Sequence, residues 1–309
     1  MITIPETDLV VYPLCLGTNI FGANATATES HLVMDAYRSH GGNFIDTADM
    51  YNQWVTGHVG GESETIIGSW LKAHANRSEM VIATKVSKMD TRPGLSAKNI
   101  LAACEDSLDR LQTDYIDLYY SHDDDESVSF QETFSAYAQL IAEGKVRYIA
   151  ASNFTPTRLR AAMAFSEANN LPSYIAVQDL YNLVDRKSYE TEMAQTVADL
   201  GISNLPFYAI ARGFLTGKYR AGISEVDSKR AEGAREYANA KNYEVLAAMD
   251  EVAASHNCSL AAVALGWLRA QPTVSAPIAS ARTVAQLEEI IQVVELTNTE
   301  VEKLSLLSA

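Results

Sequence analysis

Short apolar runs alternate with amphipathic segments from one end of this 309-residue chain to the other. The runs are rich in β-branched residues and too short for helices, so they predict strands. They fall at residues 14–17, 44–46, 81–85, 116–120, 146–151, 175–178, 205–208 and 274–278. Strands that alternate with helices, without a break in composition, predict a parallel sheet. We therefore expect an α/β fold, a (β/α)8 TIM barrel that forms a single domain over residues 1–309.

The segments between the runs carry the start signals of helices. Thr26 precedes Glu29 at the spacing of a capping box, Ser96 precedes an apolar stripe, and Thr155 precedes Pro156 as an N-cap precedes a first-turn proline. A doubly wound open sheet is the alternative architecture, but no Gly-x-Gly-x-x-Gly pattern follows the first run. A long polar segment, residues 211–242, interrupts the alternation and is typical of a functional or disordered loop.

Charge and cysteine usage limit the partners and the compartment. The chain has 24 Lys and Arg against 39 Asp and Glu, a formal net charge of −15, so no nucleic acid is expected as a partner. No apolar stretch approaches the ~18 residues of a membrane span, and the N-terminal residues lack the pattern of a signal peptide. Cys15, Cys104 and Cys258 have no metal-ligand or CxxC spacing. We therefore expect a cytoplasmic protein with no metal and no membrane partner.

Titratable residues stand at the ends of several predicted strands. Asp46 ends the second strand, Lys85 ends the third, and His122 follows the fourth. Tyr51 lies in the loop after Asp46. The carboxyl ends of the strands of a barrel meet at one rim, where such folds build their active sites. A lysine there is usually a solvated charge and a histidine usually a hydrogen-bonding group, but four such residues on one rim indicate a catalytic site.

These side chains suit acid–base chemistry at a carbonyl group. A tyrosine has an unperturbed pKa near ~10, and a nearby ammonium such as that of Lys85 lowers it. Asp46 can hold that ammonium in place, and His122 can hydrogen-bond the carbonyl oxygen. Tyr51 then donates a proton to this oxygen while a hydride arrives at the carbon.

The segments around these residues resemble the aldo-keto reductase superfamily, specifically its bacterial members related to the potassium-channel β subunits. The matching segments are residues 41–48 with Tyr51, 61–64, 83–85, 114–120 with His122, 144–149, 152–154 and 213–219. The resemblance covers nearly the whole chain in order. It implies the barrel, NADPH or NADP+ as the cofactor, and a catalytic tetrad of Asp46, Tyr51, Lys85 and His122.

The resemblance also implies contacts along the whole cofactor. Thr18, Asn19 and Asp46 would face its nicotinamide end, Ser152, Asn153 and Gln178 the carboxamide, and Phe207 would stack on the ring. The segment 213–218 would hold the pyrophosphate through Gly213, Leu215, Gly217 and Lys218, and Arg230 lies further along the same loop. Tyr208, Ala209, Ile210 and Ala211 are also implied to contact the cofactor. The segment implied to bind the 2′-phosphate and adenine contains Ser280, Arg282, Gln286 and Glu289, although Ser280 replaces a frequent glycine and Ile290 a frequent asparagine.

The expected substrate is a small aldehyde or ketone, bound near Tyr51, Trp54, His122 and Asp123. The acidic run 123–126 directly after His122 predicts a neutral or cationic substrate, because carboxylates at the mouth repel anions. The rival function is a redox-sensing regulatory subunit that binds NADP(H) with little turnover. An unrelated barrel hydrolase or aldolase, with Lys85 as a Schiff-base lysine, is a third hypothesis. Nothing in the sequence indicates an oligomeric state.

Overall fold

The computed structural model describes residues 1–220, 222 and 231–309. The strands in this part of the chain, in order, are β1 (Ile2–Thr3), β2 (Val10–Val11), β3 (Cys15–Gly17), β4 (Phe44–Asp46), β5 (Val81–Val86), β6 (Lys88–Met89), β7 (Arg92–Pro93), β8 (Ile116–Ser121), β9 (Val146–Ser152), β10 (Tyr174–Gln178), β11 (Ser203–Asn204) and β12 (Ile278–Ala279). One sheet contains eight of them, in the order β11-β10-β9-β8-β5-β4-β3-β12. All neighbouring strands in it are parallel.

Helices connect these strands. The described α-helices are α1 (Ala27–Ser39), α2 (Glu62–His74), α3 (Ala97–Leu111), α4 (Phe130–Ala142), α5 (Pro156–Ala168), α6 (Lys187–Glu190), α7 (Met193–Asp199), α8 (Ala231–Arg235), α9 (Ala240–His256), α10 (Leu260–Arg269), α11 (Val284–Ile290) and α12 (Asn298–Ser308). Two 3₁₀ helices span Arg77–Glu79 and Ala211–Thr216. Within the described residues, no helix is both long and apolar enough to cross a membrane.

The predicted helix starts are found in the structure. Thr26 and Glu29 form a reciprocal capping box at α1. The hydroxyls of Ser96 and Thr155 accept from backbone N–H groups in the first turns of α3 and α5, and Pro156 is the first residue of α5. These groups satisfy N–H donors that have no partner within their helix, which is why they set the helix boundaries.

The two edge strands of the sheet are also linked to each other. Asn204 N donates to Thr273 O at 2.7 Å, and Ser275 N donates to Asn204 O at 3.1 Å. Ile278 N donates to Pro206 O at 2.9 Å. The first six apolar runs coincide with strands, but the seventh and eighth are displaced from the predictions at 205–208 and 274–278. Pro206 and Pro277 lie in those runs, and a proline has no N–H to donate to a ladder.

The described part of the segment 211–242 is more ordered than its polar composition suggested. It contains the 3₁₀ helix Ala211–Thr216, then α8, then the start of α9. α11 ends at Ile290, and α12, which the apolar pattern did not predict, follows it. Its apolar residues are sparse, and Leu304 is the residue of α12 that is buried.

The amino ends of the strands are covered by the antiparallel pair of β1 and β2. Val11 of β2, and Ile4 and Leu9 in the turn between the two strands, are buried in one apolar cluster with Cys15 and Phe44, the first residues of β3 and β4. The register of the sheet aligns the opposite, carboxyl ends. Gly17 pairs with Asp46, Lys85 with Tyr120, and Ser152 with Gln178. The polar residues at the strand ends therefore share one edge.

Candidate active site

The ammonium of Lys85 is the centre of a buried hydrogen-bond cluster. It donates to Asp46 Oδ2 at 2.6 Å, to the carbonyl oxygen of Thr47 at 2.6 Å and to Tyr51 Oη at 2.9 Å. An ammonium has three N–H donors, so these contacts use all of them. The Lys85 side chain is 0% exposed and that of Asp46 is 2% exposed. Loss of either partner would leave an uncompensated buried charge.

The carboxylate of Asp46 also accepts a hydrogen bond from a strand that is not its neighbour in the sheet. Its Oδ1 accepts a 2.8 Å hydrogen bond from Gln178 Nε2, at the end of β10. Tyr51 Oη lies 3.4 Å from Asp46 Oδ2, too far for a strong O–H···O hydrogen bond. The phenol is therefore oriented chiefly as an acceptor from Lys85.

Burial sets the protonation state of Tyr51. It raises the pKa of the phenol well above its usual value, and the Asp46 carboxylate raises it further. Burial also lowers the pKa of Lys85, although Asp46 opposes that shift. The expectation of a lowered tyrosine pKa is thus wrong. The Lys85 charge is balanced by Asp46 at closer range, so the loss of solvent is the larger effect on Tyr51.

His122 lies beside Tyr51 just after β8. The two rings meet edge to face with their centroids 6.1 Å apart. Burial lowers the pKa of His122 well below its usual value, and the charges of Lys85 and Lys88 lower it further. The imidazole is therefore neutral near neutral pH. Its Nδ1 is buried and has no hydrogen-bond partner among the described residues.

A cavity of about 260 Å³ opens above this cluster. Its lining residues come from the ends of several strands and from the loops that follow them. They are Gly17, Thr18, Asn19, Asp46, Tyr51, Trp54, Lys88, His122, Ser152, Asn153, Gln178, Phe207, Tyr208, Ala209, Ile210, Arg212, Ile278, Ala279 and Ser280. Lys85 is not one of them and lies beneath Tyr51. A second cavity of about 380 Å³ shares Asn19, Trp54, Tyr208 and Arg212 with the first and continues to α8.

Several residues predicted to contact a cofactor are hydrogen-bonded to other residues of this lining. Ser152 Oγ donates to Gln178 O at 2.8 Å. Asn153 Nδ2 donates to His122 O at 2.9 Å, and Thr18 Oγ1 donates to Asp46 O at 2.8 Å. These hydrogen bonds restrict the side chains of Thr18, Ser152 and Asn153 at the lining.

Other predicted residues lie away from this cavity. Ala211, Gly213 and Leu215 belong to the 3₁₀ helix Ala211–Thr216, and Gly217 and Lys218 follow it. Arg282, Gln286 and Glu289 lie just before or within α11, where Gln286 Oε1 accepts a 3.0 Å bond from Arg282 N. Asp123 is not among the lining residues and pairs with Lys88 instead. Arg230 lies outside the described residues.

Two cations on the lining were missed by the sequence reasoning. The guanidinium of Arg212 lies 4.8 Å above the Tyr208 ring centroid, and its Nη1 donates to Glu236 at 3.2 Å. Its Nε is buried with no partner among the described residues. Lys88 follows Lys85 by three positions and begins β6. Their sequence positions were a signal: Arg212 directly precedes the segment 213–218, and Lys88 follows the end of β5 by two residues.

Comparisons with known proteins identify the family. Residues 13–308 match the model of the aldo/keto reductase family. Protein tas of Escherichia coli strain K12 is 32% identical over 324 residues, which cover 96% of this chain and 93% of that protein. The uncharacterized oxidoreductase YrpG of Bacillus subtilis strain 168 is 34% identical, with 94% and 90% covered. A probable voltage-gated potassium channel subunit beta of Arabidopsis thaliana is 29% identical, with 94% and 80% covered.

The family match extends over the strands that carry Asp46, Lys85 and Gln178 and over the loops that complete the cavity. The chain is a member of the aldo/keto reductase family.

Proposed function

We propose that this chain is an NADPH-dependent reductase that converts the carbonyl group of a small aldehyde or ketone to an alcohol. We further propose that the sheet closes into a (β/α)8 barrel and that residues 1–309 form one domain. The observation that carries the function is the position of Tyr51. Tyr51 lines the cavity, and its hydroxyl accepts a 2.9 Å hydrogen bond from a buried ammonium.

The lining fits a nicotinamide cofactor. Unpaired buried nitrogens at the cavity, Arg212 Nε and His122 Nδ1, are polar atoms that a bound molecule can satisfy. Ser152, Asn153, Gln178 and Phe207 line the cavity. We assign the first three to the carboxamide and Phe207 to stacking on the ring. When bound, NADPH supplies the hydride.

The remaining cofactor contacts extend from this cavity. Arg212 and the segment 213–218 are suited to the pyrophosphate because a guanidinium binds phosphate oxygens strongly. Ser280, Arg282, Gln286 and Glu289 are assigned to the adenosine 2′-phosphate and adenine. Arg230 remains part of this proposal but lies outside the described residues.

The proton in the reaction comes from Tyr51. Because its pKa is raised well above the usual value, the phenol is fully protonated near neutral pH. The neutral His122 ring donates a hydrogen bond to the carbonyl oxygen and directs it to Tyr51 Oη. As the proton leaves, negative charge develops on Oη, 2.9 Å from the Lys85 ammonium. A preorganised charge at that distance stabilises the phenolate in the transition state.

The test is a panel of neutral and charged aldehydes and ketones, assayed by the loss of NADPH absorbance. We expect NADPH consumption that requires the carbonyl compound, yields the alcohol in equal amount, and is lost in Tyr51→Phe. Consumption that is independent of the carbonyl compound would contradict the proposal.

The second candidate is a redox-sensing subunit that binds NADP(H) with little turnover. Its support is the similarity to the Arabidopsis thaliana channel β subunit. His122 favours the enzyme, since the channel-associated relatives often have asparagine at that position. Multiple turnovers per protein molecule in the same assay would decide for the reductase.

A Schiff-base role for Lys85 is disfavoured by its surroundings. The side chain is 0% exposed, and its three N–H groups are all bonded within the protein. Tyr51 lines the cavity and Lys85 does not, so a carbonyl compound in the cavity contacts Tyr51 and not the Lys85 amine.

A further inference from the structure

Asp124, Asp125 and Glu126, the last three residues of the acidic run after His122, do not line the cavity. Both carboxylate oxygens of Asp124 accept from Arg158, at 2.6 and 2.9 Å. Asp125 accepts from the backbone N–H of Leu95 at 2.8 Å and from that of Ser127 at 3.0 Å. Glu126 is exposed to solvent. These three residues therefore do not place negative charge on the cavity lining.

One charged residue near His122 that does line the cavity is the cation Lys88. Lys88 lines the same cavity as Tyr51, Trp54 and His122. Its Nζ lies 3.1 Å from Asp123 Oδ2, with the two side chains 32% and 46% exposed. Lys88 is also near enough to His122 to help lower the pKa of that ring. The cation therefore stands next to the groups proposed to act on the carbonyl.

The pairing with Asp123 leaves Lys88 able to bind a second group. An ammonium has three donors, and one carboxylate oxygen uses one of them. The ion pair is partly solvated, and such pairs contribute little free energy, so Asp123 can share the cation at small cost. A substrate anion shielded from water by the cavity gains more from the same charge than a solvated one does.

We propose that Lys88 determines substrate specificity by binding an anionic group, a carboxylate or a phosphate monoester, of the carbonyl substrate. This inference rests on the proposed function. It replaces the expectation of a neutral or cationic substrate. Trp54, 56% exposed and edge to face with Tyr51 at 6.3 Å, supplies an apolar surface for the rest of the molecule. The substrate is thus a small carbonyl compound with an apolar body and one anion.

The test compares matched pairs in the NADPH assay. Benzaldehyde and 4-carboxybenzaldehyde test a carboxylate, and a hydroxyaldehyde with its phosphate ester tests a phosphate. The measured quantity is kcat/KM of the anion divided by kcat/KM of its neutral partner. The pair with the larger ratio identifies the anion that the site prefers.

We expect Lys88→Met to lower that ratio by about tenfold to a hundredfold, the range for loss of one charge-assisted contact. Lys88→Arg should retain most of it, because the charge is kept. Asp123→Asn should raise it, because the competing carboxylate is removed. Lys98→Met, an equal charge change at an exposed position on α3, should leave the ratio unchanged.

An unchanged ratio in Lys88→Met, or a lower ratio in Asp123→Asn, would overturn the inference. Absence of NADPH-dependent turnover with every aldehyde contradicts the proposed function instead. In that case, calorimetric binding of 4-carboxybenzyl alcohol to the protein with NADP+ decides the role of Lys88. Equal affinity in the wild type and Lys88→Met would then reject it, and a tenfold weaker affinity in the variant would support it.

Discussion

The ammonium of Lys85 donates a 2.9 Å hydrogen bond to the phenol oxygen of Tyr51, and both groups lie over the same carboxylate of Asp46. The Asp46 carboxylate and the Lys85 ammonium act on the proton of Tyr51 in opposite directions. Burial and the carboxylate keep the proton on Tyr51 in the resting protein. The ammonium stabilises the oxygen once the proton has left. The Tyr51 phenol is therefore protonated before the reaction, and its phenolate is stabilised by Lys85 after the proton has been transferred. Both properties suit a general acid that protonates a carbonyl oxygen.

Replacement of Tyr51 by phenylalanine removes the proton donor and retains the ring. We expect kcat for carbonyl reduction to fall by at least ~10²–10⁴-fold, the range for general acid catalysis. The affinity for NADPH, measured by fluorescence titration, should change little because the hydroxyl is assigned to the substrate. Turnover like that of the wild type would contradict the assignment of Tyr51.

The pH profile of reduction follows from two opposite pKa shifts. The pKa of Tyr51 is raised well above its usual value, so its acid form persists into the alkaline range. The pKa of His122 is lowered well below its usual value, so its neutral form persists into the acidic range. We expect kcat/KM for a neutral aldehyde to be flat between about pH 7 and about pH 9. A titration step inside that range, absent from His122→Asn, would show that the histidine is charged near neutral pH.

Replacement of Arg282 and replacement of Arg212 should change the affinities for NADPH and NADH in different ways. Arg282 is assigned to the 2′-phosphate, which only NADPH carries. A charge-assisted contact is worth roughly 1.5–3 kcal/mol, so Arg282→Ala should weaken NADPH by about one to two decades and NADH little. Arg212 is assigned to the pyrophosphate, which both cofactors carry. Arg212→Ala should therefore weaken both dissociation constants to a similar extent.

Fluorescence titration of each variant with each cofactor measures these effects. If Arg282→Ala weakened NADPH and NADH equally, Arg282 would support the protein structure and not cofactor selection. If Arg212→Ala weakened NADPH alone, the assignments of the two arginines would be reversed.

The strand ends could be located from the sequence because a parallel register leaves little choice. Apolar runs predict strands, and parallel strands place their last residues at one edge, so Asp46, Lys85 and Gln178 share that edge. The residue types predicted acid–base chemistry for Asp46 and Lys85, and the resemblance implied a cofactor contact for Gln178. The seventh and eighth strands were displaced because Pro206 and Pro277 interrupt the hydrogen-bond ladder.

The other features of the site could not be predicted because they depend on partners distant in sequence and on the extent of burial. Local sequence patterns contain information on neither. Asp123 looked like a charge at the mouth, but its partner Lys88 lies 35 positions earlier on β6 and reaches the lining itself. Arg212 lines the cavity and has a φ of 55° at a kink within the segment Ala211–Thr216, which the sequence did not predict. The direction of the Tyr51 pKa shift required knowledge of how much solvent is removed.

A buried carboxyl group outside the site should make stability depend on pH. Both carboxyl oxygens of Asp49 are buried with no hydrogen-bond partner among the described residues. Burial, then the charge of Glu64, raises the pKa of Asp49 to about 7, and Arg110 and Arg92 oppose the shift. In the unfolded chain an aspartate titrates near ~3.9. Between these values the folded state holds a proton that the unfolded state releases.

The free energy of unfolding therefore falls as pH rises from about 4 to about 7, and it levels off above that range. Each pH unit in this window is worth about 1.4 kcal/mol for one proton, so the loss from about pH 5 to about pH 8 is roughly 2–3 kcal/mol. Asp49→Asn cannot titrate, so its stability relative to the wild type should improve by that amount over the same interval. Asp109→Asn, at an exposed position of α3, is the matched control and should show no such trend. Urea unfolding of the three proteins at both pH values measures the effect. If the difference between Asp49→Asn and the wild type were the same at both pH values, Asp49 would be ionised in the folded protein and would have a compensating partner.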